Sequence, residues 1–345
     1  MIPPPPIQIS FIIPVAEDSF AFRRLLKSLE HLGGGPVELI FQIDGPAILP
    51  TPPKLPFQVH IQRLAQRSGP ARARNAAALK ARGEWLCFLD ADVSLPSDFV
   101  AQSLSLPDAF PSYDAFIGSY NDQPGDAGLI SQYRNLLHHY VHQRGNEEAA
   151  TFWGACGMVR RDVFMGSGGF HPDFSRPSVE DIELGYRLKA GGARIRLVKD
   201  WQVCHEKRWT LGNMVRTDIF QRALPWLGLL HQFGYWQRKD LNLDRRSRLS
   251  GLLVSGAWLA LFLSPLWIGL LGPGFILLGI VIWLNHDIFR FFARVHSFRM
   301  MVLAVPLQLL YYSYSSMAVA WFMGLRVFRS KPPFVPSPAS TYGGV

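Results

Sequence analysis

Three groups of side chains in this sequence have residue types and spacings that chemistry could use. Asp90-Ala91-Asp92 places two carboxylates two residues apart, directly after the apolar run Trp85–Leu89. Hard oxygen ligands of this kind suit Mg²⁺ or Mn²⁺ that keeps positions open for a diphosphate. Such a cation neutralises charge on a departing nucleoside diphosphate. Glu180-Asp181 opens a helical pattern downstream of Gly168-Gly169-Phe170, a loop that can approach a substrate closely. A carboxylate there can take the proton of an attacking hydroxyl. His205 stands after the strand-like Leu197–Cys204, within His-Glu-Lys-Arg-Trp-Thr. Its neutral imidazole could complete a metal shell with Asp90 and Asp92, and Lys207 and Arg208 could hold diphosphate oxygens. Glu180 and Trp209 are further candidates for diphosphate or acceptor contacts. Each group also has a plain structural reading: a helix cap with a solvated turn acid, a complement to a helix dipole, a surface histidine beside a basic patch.

The elements that must position these groups alternate along the first half of the chain. Residues 7–15 are β-branched and aromatic and read as a buried strand. Asp18 caps a helix whose apolar face is Phe22, Leu25, Leu26, Leu29 and Leu32, closed by Gly33–Gly35. Val37–Ile43 is a second strand ending at Asp44, and Phe57–Arg63 a third. Pro70 opens a helix to Arg82, and Glu84–Leu89 runs straight into Asp90. Further on, Phe152–Val159 and Ala193–Val198 read as strands and Val179–Lys189 as a helix. The alternation predicts an α/β domain with a largely parallel sheet, whose ligands bind beyond the carboxyl ends of the strands. Asp44 and Asp90 both stand at such ends.

Charge is distributed unevenly. The chain of 345 residues carries 35 Lys and Arg against 26 Asp and Glu, but residues 251–345 hold six of those bases and one acid. Much of the basic surplus therefore flanks apolar segments, and nucleic acid is not implied as a partner. Residues 249–286 contain no charge; as one helix they would run about 57 Å, roughly twice a hydrocarbon core. Gly272-Pro273-Gly274 predicts a hairpin of spans near 251–271 and 275–292, with a third span within 300–325. Residues 210–236 resemble helices lying at a membrane surface, and an ordinary amphipathic packing is equally open. The expected organisation is a Pro-rich segment 1–6, a catalytic domain 7–236, a basic linker 237–250, a membrane region 251–328 of two to three helices, and a disordered tail 329–345. Three cysteines without paired spacing, and an N-terminus without a signal-peptide pattern, predict a cytoplasmic front half on a multi-pass inner-membrane protein.

Four segments in order carry a resemblance: Ser10-Phe11-Ile12-Ile13-Pro14-Val15, Gly69-Pro70-Ala71-Arg72-Ala73-Arg74-Asn75, Phe88-Leu89-Asp90-Ala91-Asp92, and Gly168-Gly169-Phe170 with Glu180-Asp181-Ile182-Glu183-Leu184. Together they resemble glycosyltransferase family 2, inverting enzymes of the GT-A fold, over residues 7–230. The resemblance implies that Pro14 and Glu17 line the nucleotide pocket and that Asp44 reads the base, usually uracil. It implies further that Arg74 lies near the nucleotide, that Asp90 and Asp92 bind metal and diphosphate, and that Asp181 is the catalytic base. Two departures stand out. Asp44-Gly45-Pro46 replaces the family's Asp-Asp-Gly-Ser, and Gln221-Arg222-Ala223-Leu224-Pro225-Trp226 lacks the Q-x-x-R-W of processive synthases.

The expected activity is transfer of a sugar from a nucleoside-diphosphate sugar, with a UDP-linked one favoured, to a hydroxyl of a lipid or lipid-linked glycan at the cytoplasmic membrane face. Transfer to polyprenyl phosphate is the alternative reaction. A GT-A-like membrane scaffold without catalysis is the alternative of another class.

Overall fold

The computed structural model describes residues 6–235 and 244–328. The segment 1–5, residues 237–243 of the expected basic linker and the tail 329–345 lie outside the described residues. The chain divides into two compact units, the first from residues up to 126 with 142–208, the second from 127–141 with the residues after 208.

The first unit is built on a mixed sheet. Strands β1 (Ile9–Val15), β2 (Val37–Asp44), β3 (Gln58–Leu64) and β4 (Trp85–Leu89) are parallel neighbours in the order β3-β2-β1-β4. β1 and β4 read as nearly unbroken apolar runs, β2 adds the buried polar Glu38 and Gln42, and the side chains of all three are almost wholly buried. α1 (Phe20–Leu29) buries Phe22, Leu25, Leu26 and Leu29. Its cap is Ser19, which accepts the Phe22 N–H, while the expected cap Asp18 is drawn to Arg23 at 2.6 Å. α2 (Pro70–Lys80) opens with Pro at its first position.

Beyond β4 the sheet departs from the largely parallel expectation. Along the chain follow the two-residue β5 (Val93–Ser94), α3 (Phe99–Ala109), β6 (Ala115–Tyr120), the short β7 (Glu148–Ala149) and β8 (Cys156–Arg160), while α4 (Leu129–Arg144), between β6 and β7, belongs to the second unit up to Val141. α5 (Arg161–Gly166), α6 (Glu180–Ala190) and β9 (Ile195–His205) complete the unit. β8 is antiparallel to both β4 and β6, β6 is parallel to β9, and β5 pairs antiparallel with the end of β9. A local hydrophobic pattern carries no information on pairing direction, so this half of the sheet is where the reading falls short.

The second unit is helical. α7 (Leu211–Arg216) leads through a π-helical stretch, Thr217–Ala223, into α8 (Leu224–Gln232). These helices were expected inside a catalytic domain ending at 236, but the first unit ends at Arg208. The reason is packing: Leu224 and Leu227 share a core with Ala318 and Phe322. α9 (Arg245–Leu263), α10 (Leu271–Leu284), α11 (His286–Val295) and α12 (Phe298–Phe328) follow.

The sequence predicts two to three spans. Among the described residues only Phe298–Leu325 is long and apolar enough to cross a membrane by itself, and α10 with α11 passes the same test only as a pair bent by 55°. Gly272-Pro273-Gly274 does not break the chain. It lies in the first turn of α10, where a proline's missing N–H costs nothing. The break falls earlier, after Leu263.

Candidate active site

The parallel strands end at one edge of the sheet, and the register brings the acids after them to similar height. Ile12 of β1 pairs with Ile40 of β2 on one side and with Phe88 of β4 on the other. Asp44 at the end of β2 is buried, and its two carboxylate oxygens accept the backbone N–H groups of Ser68 (2.7 Å) and Gly69 (2.9 Å). It thereby anchors the loop that starts α2. Gly69 has φ +89°, and a Cβ there would collide with the Ser175 carbonyl, so only glycine fits. Pro14 lies in the register of β1 opposite Gln42. Glu17 is exposed on the loop after β1, 3.8 Å from Arg67.

The first turns of α2 draw the distant motifs together. Arg74, almost wholly buried, donates Nη2 to Asp90 at 2.6 Å and Nη1 to Glu180 at 3.0 Å. One guanidinium thus joins the acid after β4 to the acid opening α6. Its ring partner is Phe170, whose centroid lies 5.2 Å from the guanidinium carbon. The next residue, Asn75, clasps the glycine loop: Nδ2 donates to the Phe170 carbonyl (2.7 Å) and Oδ1 accepts the Phe170 N–H (2.9 Å). Gly168 and Gly169, at φ +82° and +70°, supply the turn this needs. Asn75 was not among the expected site residues. Its signal was its place beside Arg74 in the Ala-Arg-Asn element.

Asp181, partly buried, sits at the N-terminus of α6 beside this cluster. Its Oδ2 accepts the Gly154 N–H at 3.0 Å and its Oδ1 the Ile182 N–H at 2.8 Å. Burial, followed by the repulsion of Glu180, raises Asp181 to about 6, against the lowering pull of the Gly154 N–H, Arg74 and the Ile182 N–H. A carboxylate near 6 is a competent base at neutral pH. Asp90 is also raised, first by burial and then by Asp92 and Glu180, with Arg74 opposing.

Asp92 faces a different partner. Its carboxylate lies 3.6 Å from His205 Nε2, and the imidazole stacks on Tyr120 with ring centroids 4.3 Å apart. Burial works to raise Asp92, but the attraction and hydrogen bond of His205 together with Lys207 prevail and bring it to about 2. The β5–β9 ladder fixes this pair, since Val93 is in register with His205 and the Glu206 N–H donates to the Asp92 carbonyl. Glu206 is itself buried, accepting from the Ser94 hydroxyl at 2.6 Å and facing Arg24 at 2.7 Å.

A three-ligand shell of Asp90, Asp92 and His205 is not formed. Among the described residues no group of three or more His, Cys, Asp or Glu could hold a metal ion. Asp90 is turned to Arg74, leaving Asp92 and His205 as the donor pair. One carboxylate oxygen and one imidazole nitrogen at this separation suit Mn²⁺, whose remaining positions would take water or diphosphate oxygens. Arg208 is exposed at the end of the unit. Trp209, expected as a diphosphate or acceptor contact, is 4% exposed in the core of the helical unit, with its backbone N–H donated to the Ser131 hydroxyl. Burial pushes the Cys87 and Cys156 thiols far up and Cys204 to about 11.

The mixed α/β sheet, with acids gathered at the carboxyl ends of its parallel strands, has the GT-A fold. Residues 10–167 match the model of the family described as Glycosyl transferase family 2. No curated protein matches the chain significantly. Among solved structures, the mannosyltransferase PcManGT from Pyrobaculum calidifontis, in complex with GDP-Man and Mn²⁺, is similar over 91% of this chain and 87% of its own, with a TM-score of 0.54 at 15% identity. TarS of S. aureus is similar over 65% of this chain, with a TM-score of 0.45 at 15% identity; the chain spans 39% of its length. GalNAc-T7 with UDP, GalNAc and Mn²⁺ gives 0.41 at 16% identity, over 62% of this chain and 48% of its own.

Proposed function

We propose that this glycosyltransferase inverts configuration, moving a sugar from a nucleoside-diphosphate donor to a hydroxyl of a lipid or lipid-linked glycan at the cytoplasmic face of the cell membrane. The observation that carries the reading is the Arg74 cluster. It ties Asp90 to Glu180 and sets beside them a carboxylate raised to about 6.

In this reaction Asp181 takes the proton of the acceptor hydroxyl as its oxygen attacks the anomeric carbon. The bond from that carbon to the diphosphate oxygen breaks on the opposite face, and the nucleoside diphosphate leaves with the electron pair. Asp92 and His205 would hold a divalent cation, Mn²⁺ or Mg²⁺, which supplies Lewis-acid stabilisation of the leaving diphosphate. Arg74 keeps Asp90 and Glu180 from repelling each other, and Asn75 holds the glycine loop in place. Lys207 adds positive charge beside Asp92.

A base in working range favours a hydroxyl acceptor over polyprenyl phosphate, which is already ionised and needs none. The membrane assignment is supported by the helical unit. α12 is about 46 Å long, more than a hydrocarbon core of about 30 Å. Leu252, Phe262, Leu266, Trp267, Phe275 and Met317 are among its many large apolar side chains left exposed. α10 is only about 21 Å long, and with α9 it fits a re-entrant pair better than two crossings.

The test is incubation of membranes holding the wild type or Asp181→Asn with labelled sugar nucleotides and Mn²⁺. An organic-soluble product that survives mild acid and is absent with the variant supports the reading. An acid-labile product would point to a phosphate acceptor. Equal product from both proteins would remove Asp181 from the mechanism.

A further inference from the structure

α11 is unlike its neighbours in the helical unit. α9, α10 and α12 leave apolar side chains exposed, whereas α11 hides its own: Ile288, Phe289 and Phe292 are buried against Tyr133, Leu136, Leu137 and Tyr140. What it exposes is basic. Arg290 and Arg294 lie one turn apart on its outer face, and Arg299 follows in the first turn of α12. None of the three makes an ion pair among the described residues, although most of the surface arginines of the first unit's edge are matched with an acid. Two exposed aromatic side chains accompany the basic stretch, Trp283 (70% exposed) before it and Phe298 (70%) within it, next to Arg299.

This arrangement sets the level of α11 relative to the apolar helices. Three charged residues in ten, Asp287, Arg290 and Arg294, are incompatible with the hydrocarbon interior, where each costs about 2.5–3.5 kcal/mol. Arg246 in the first turn of α9 reaches the α10–α11 junction, with Nη1 3.4 Å from the Leu284 carbonyl and 3.3 Å from Asp287. The hairpin of α9 and α10 therefore starts and returns at one level, which is also where α11 turns away by 55° from α10. Aromatic rings beside unpaired cations at such a level match the headgroup zone of a bilayer.

We infer that the outer face of α11, through Arg290, Arg294 and Arg299, binds the phosphates of anionic phospholipids. The occupant is a lipid headgroup because the three cations border apolar exposed surface on both sides, which a soluble phosphate would not require. The apolar face of α11 is already filled by protein, so charge and not insertion carries the contact. Each arginine is worth about a fivefold preference for an anionic surface at low salt, and the preference fades as salt is added. The inference rests on the membrane reading above, and the experiment separates the two.

The full chain is reconstituted in vesicles of phosphatidylcholine mixed with phosphatidylglycerol, then extracted in mild detergent and purified, and the retained lipid is identified by mass spectrometry. The wild type is expected to keep phosphatidylglycerol at several times its share of the vesicle. Arg290→Gln/Arg294→Gln/Arg299→Gln should bring the retained lipid to the bulk ratio with unchanged thermal unfolding, and Arg290→Lys/Arg294→Lys/Arg299→Lys should restore enrichment. Wild-type lipid at the bulk ratio, or the glutamine variant enriched like the wild type, overturns the inference. Alkaline carbonate treatment of the same vesicles tests the other reading. Release of a chain that still enriches phosphatidylglycerol refutes the crossing helix and upholds the surface, and retention without enrichment refutes the surface alone.

Discussion

Replacing Arg74 perturbs the candidate site at its centre. Arg74→Met keeps the length and apolar stem of the side chain but removes the cation that faces Asp90 at 2.6 Å and Glu180 at 3.0 Å. Removing one partner of a buried ion pair costs about 3–5 kcal/mol, because the charge left behind has neither water nor counter-charge. Glu180 is buried but the Asp90 side chain is a third exposed, so water screens part of the loss and the lower half of that range is expected. Against a typical domain stability of about 5–15 kcal/mol the variant stays folded at low temperature and melts early. Arg74→Lys should recover part of the loss, since an ammonium can meet one carboxylate but cannot span both as the planar guanidinium does. A second effect has a definite sign. Arg74 lowers Asp181, so its removal moves Asp181 above about 6 and shifts the acid limb of the activity profile to higher pH. Urea unfolding and a pH profile of transfer measure both. A loss under 1 kcal/mol in Arg74→Met, with an unmoved acid limb, would refute the argument that this guanidinium binds the two motifs together.

Other expectations follow from the same geometry. Asp181 is raised in the folded state from 3.8 to about 6, so the folded chain holds a proton that the unfolded chain has lost between those values. The stability of the wild type relative to Asp181→Asn should therefore fall by up to about 3 kcal/mol as pH rises from 4 to 6 and stay flat above, which denaturation at a series of pH values will show. Asn75→Ala leaves the Phe170 N–H and carbonyl without their partners inside the protein and should cost about 2–3 kcal/mol, with a loss of transfer larger than the loss of donor affinity, checked by calorimetry and kinetics. His205→Ala removes one of the two donors facing a cation and should raise the Mn²⁺ concentration for half-maximal binding tenfold or more; titration followed by Mn²⁺ electron resonance is the readout.

Parts of this molecule were legible in the sequence and parts were not, for reasons that differ by element. β1, β2 and β4 announced themselves because buried strands are largely apolar runs, and the acids after β2 and β4 fall where such sheets bind ligands. The resemblance implied that Asp90 and Asp181 serve one site, but Arg74, which ties Asp90 to Glu180 beside Asp181, acts across 106 residues of chain, a separation no local pattern reports. α3 and α4 escaped notice because Pro107 interrupts the one and histidines and tyrosines blur the apolar stripe of the other. Trp209 misled because position in a basic cluster says nothing of the side a ring faces, and its ring is drawn into the core of the helical unit. The apolar segments were found correctly as apolar. Their lengths were not, since Gly272-Pro273-Gly274 reads as a breaker in sequence and works as a helix start in the fold.

The most direct test of the central claim is the anomeric outcome and its dependence on Asp181, read by proton NMR of the transfer product formed from a donor of known configuration. With Mn²⁺ present, the wild type should give a product of inverted configuration at the transferred sugar, while Asp181→Asn binds the donor with unchanged affinity and gives none. A product that retains the donor's configuration, or an Asp181→Asn protein that forms product at the wild-type rate, would contradict the account.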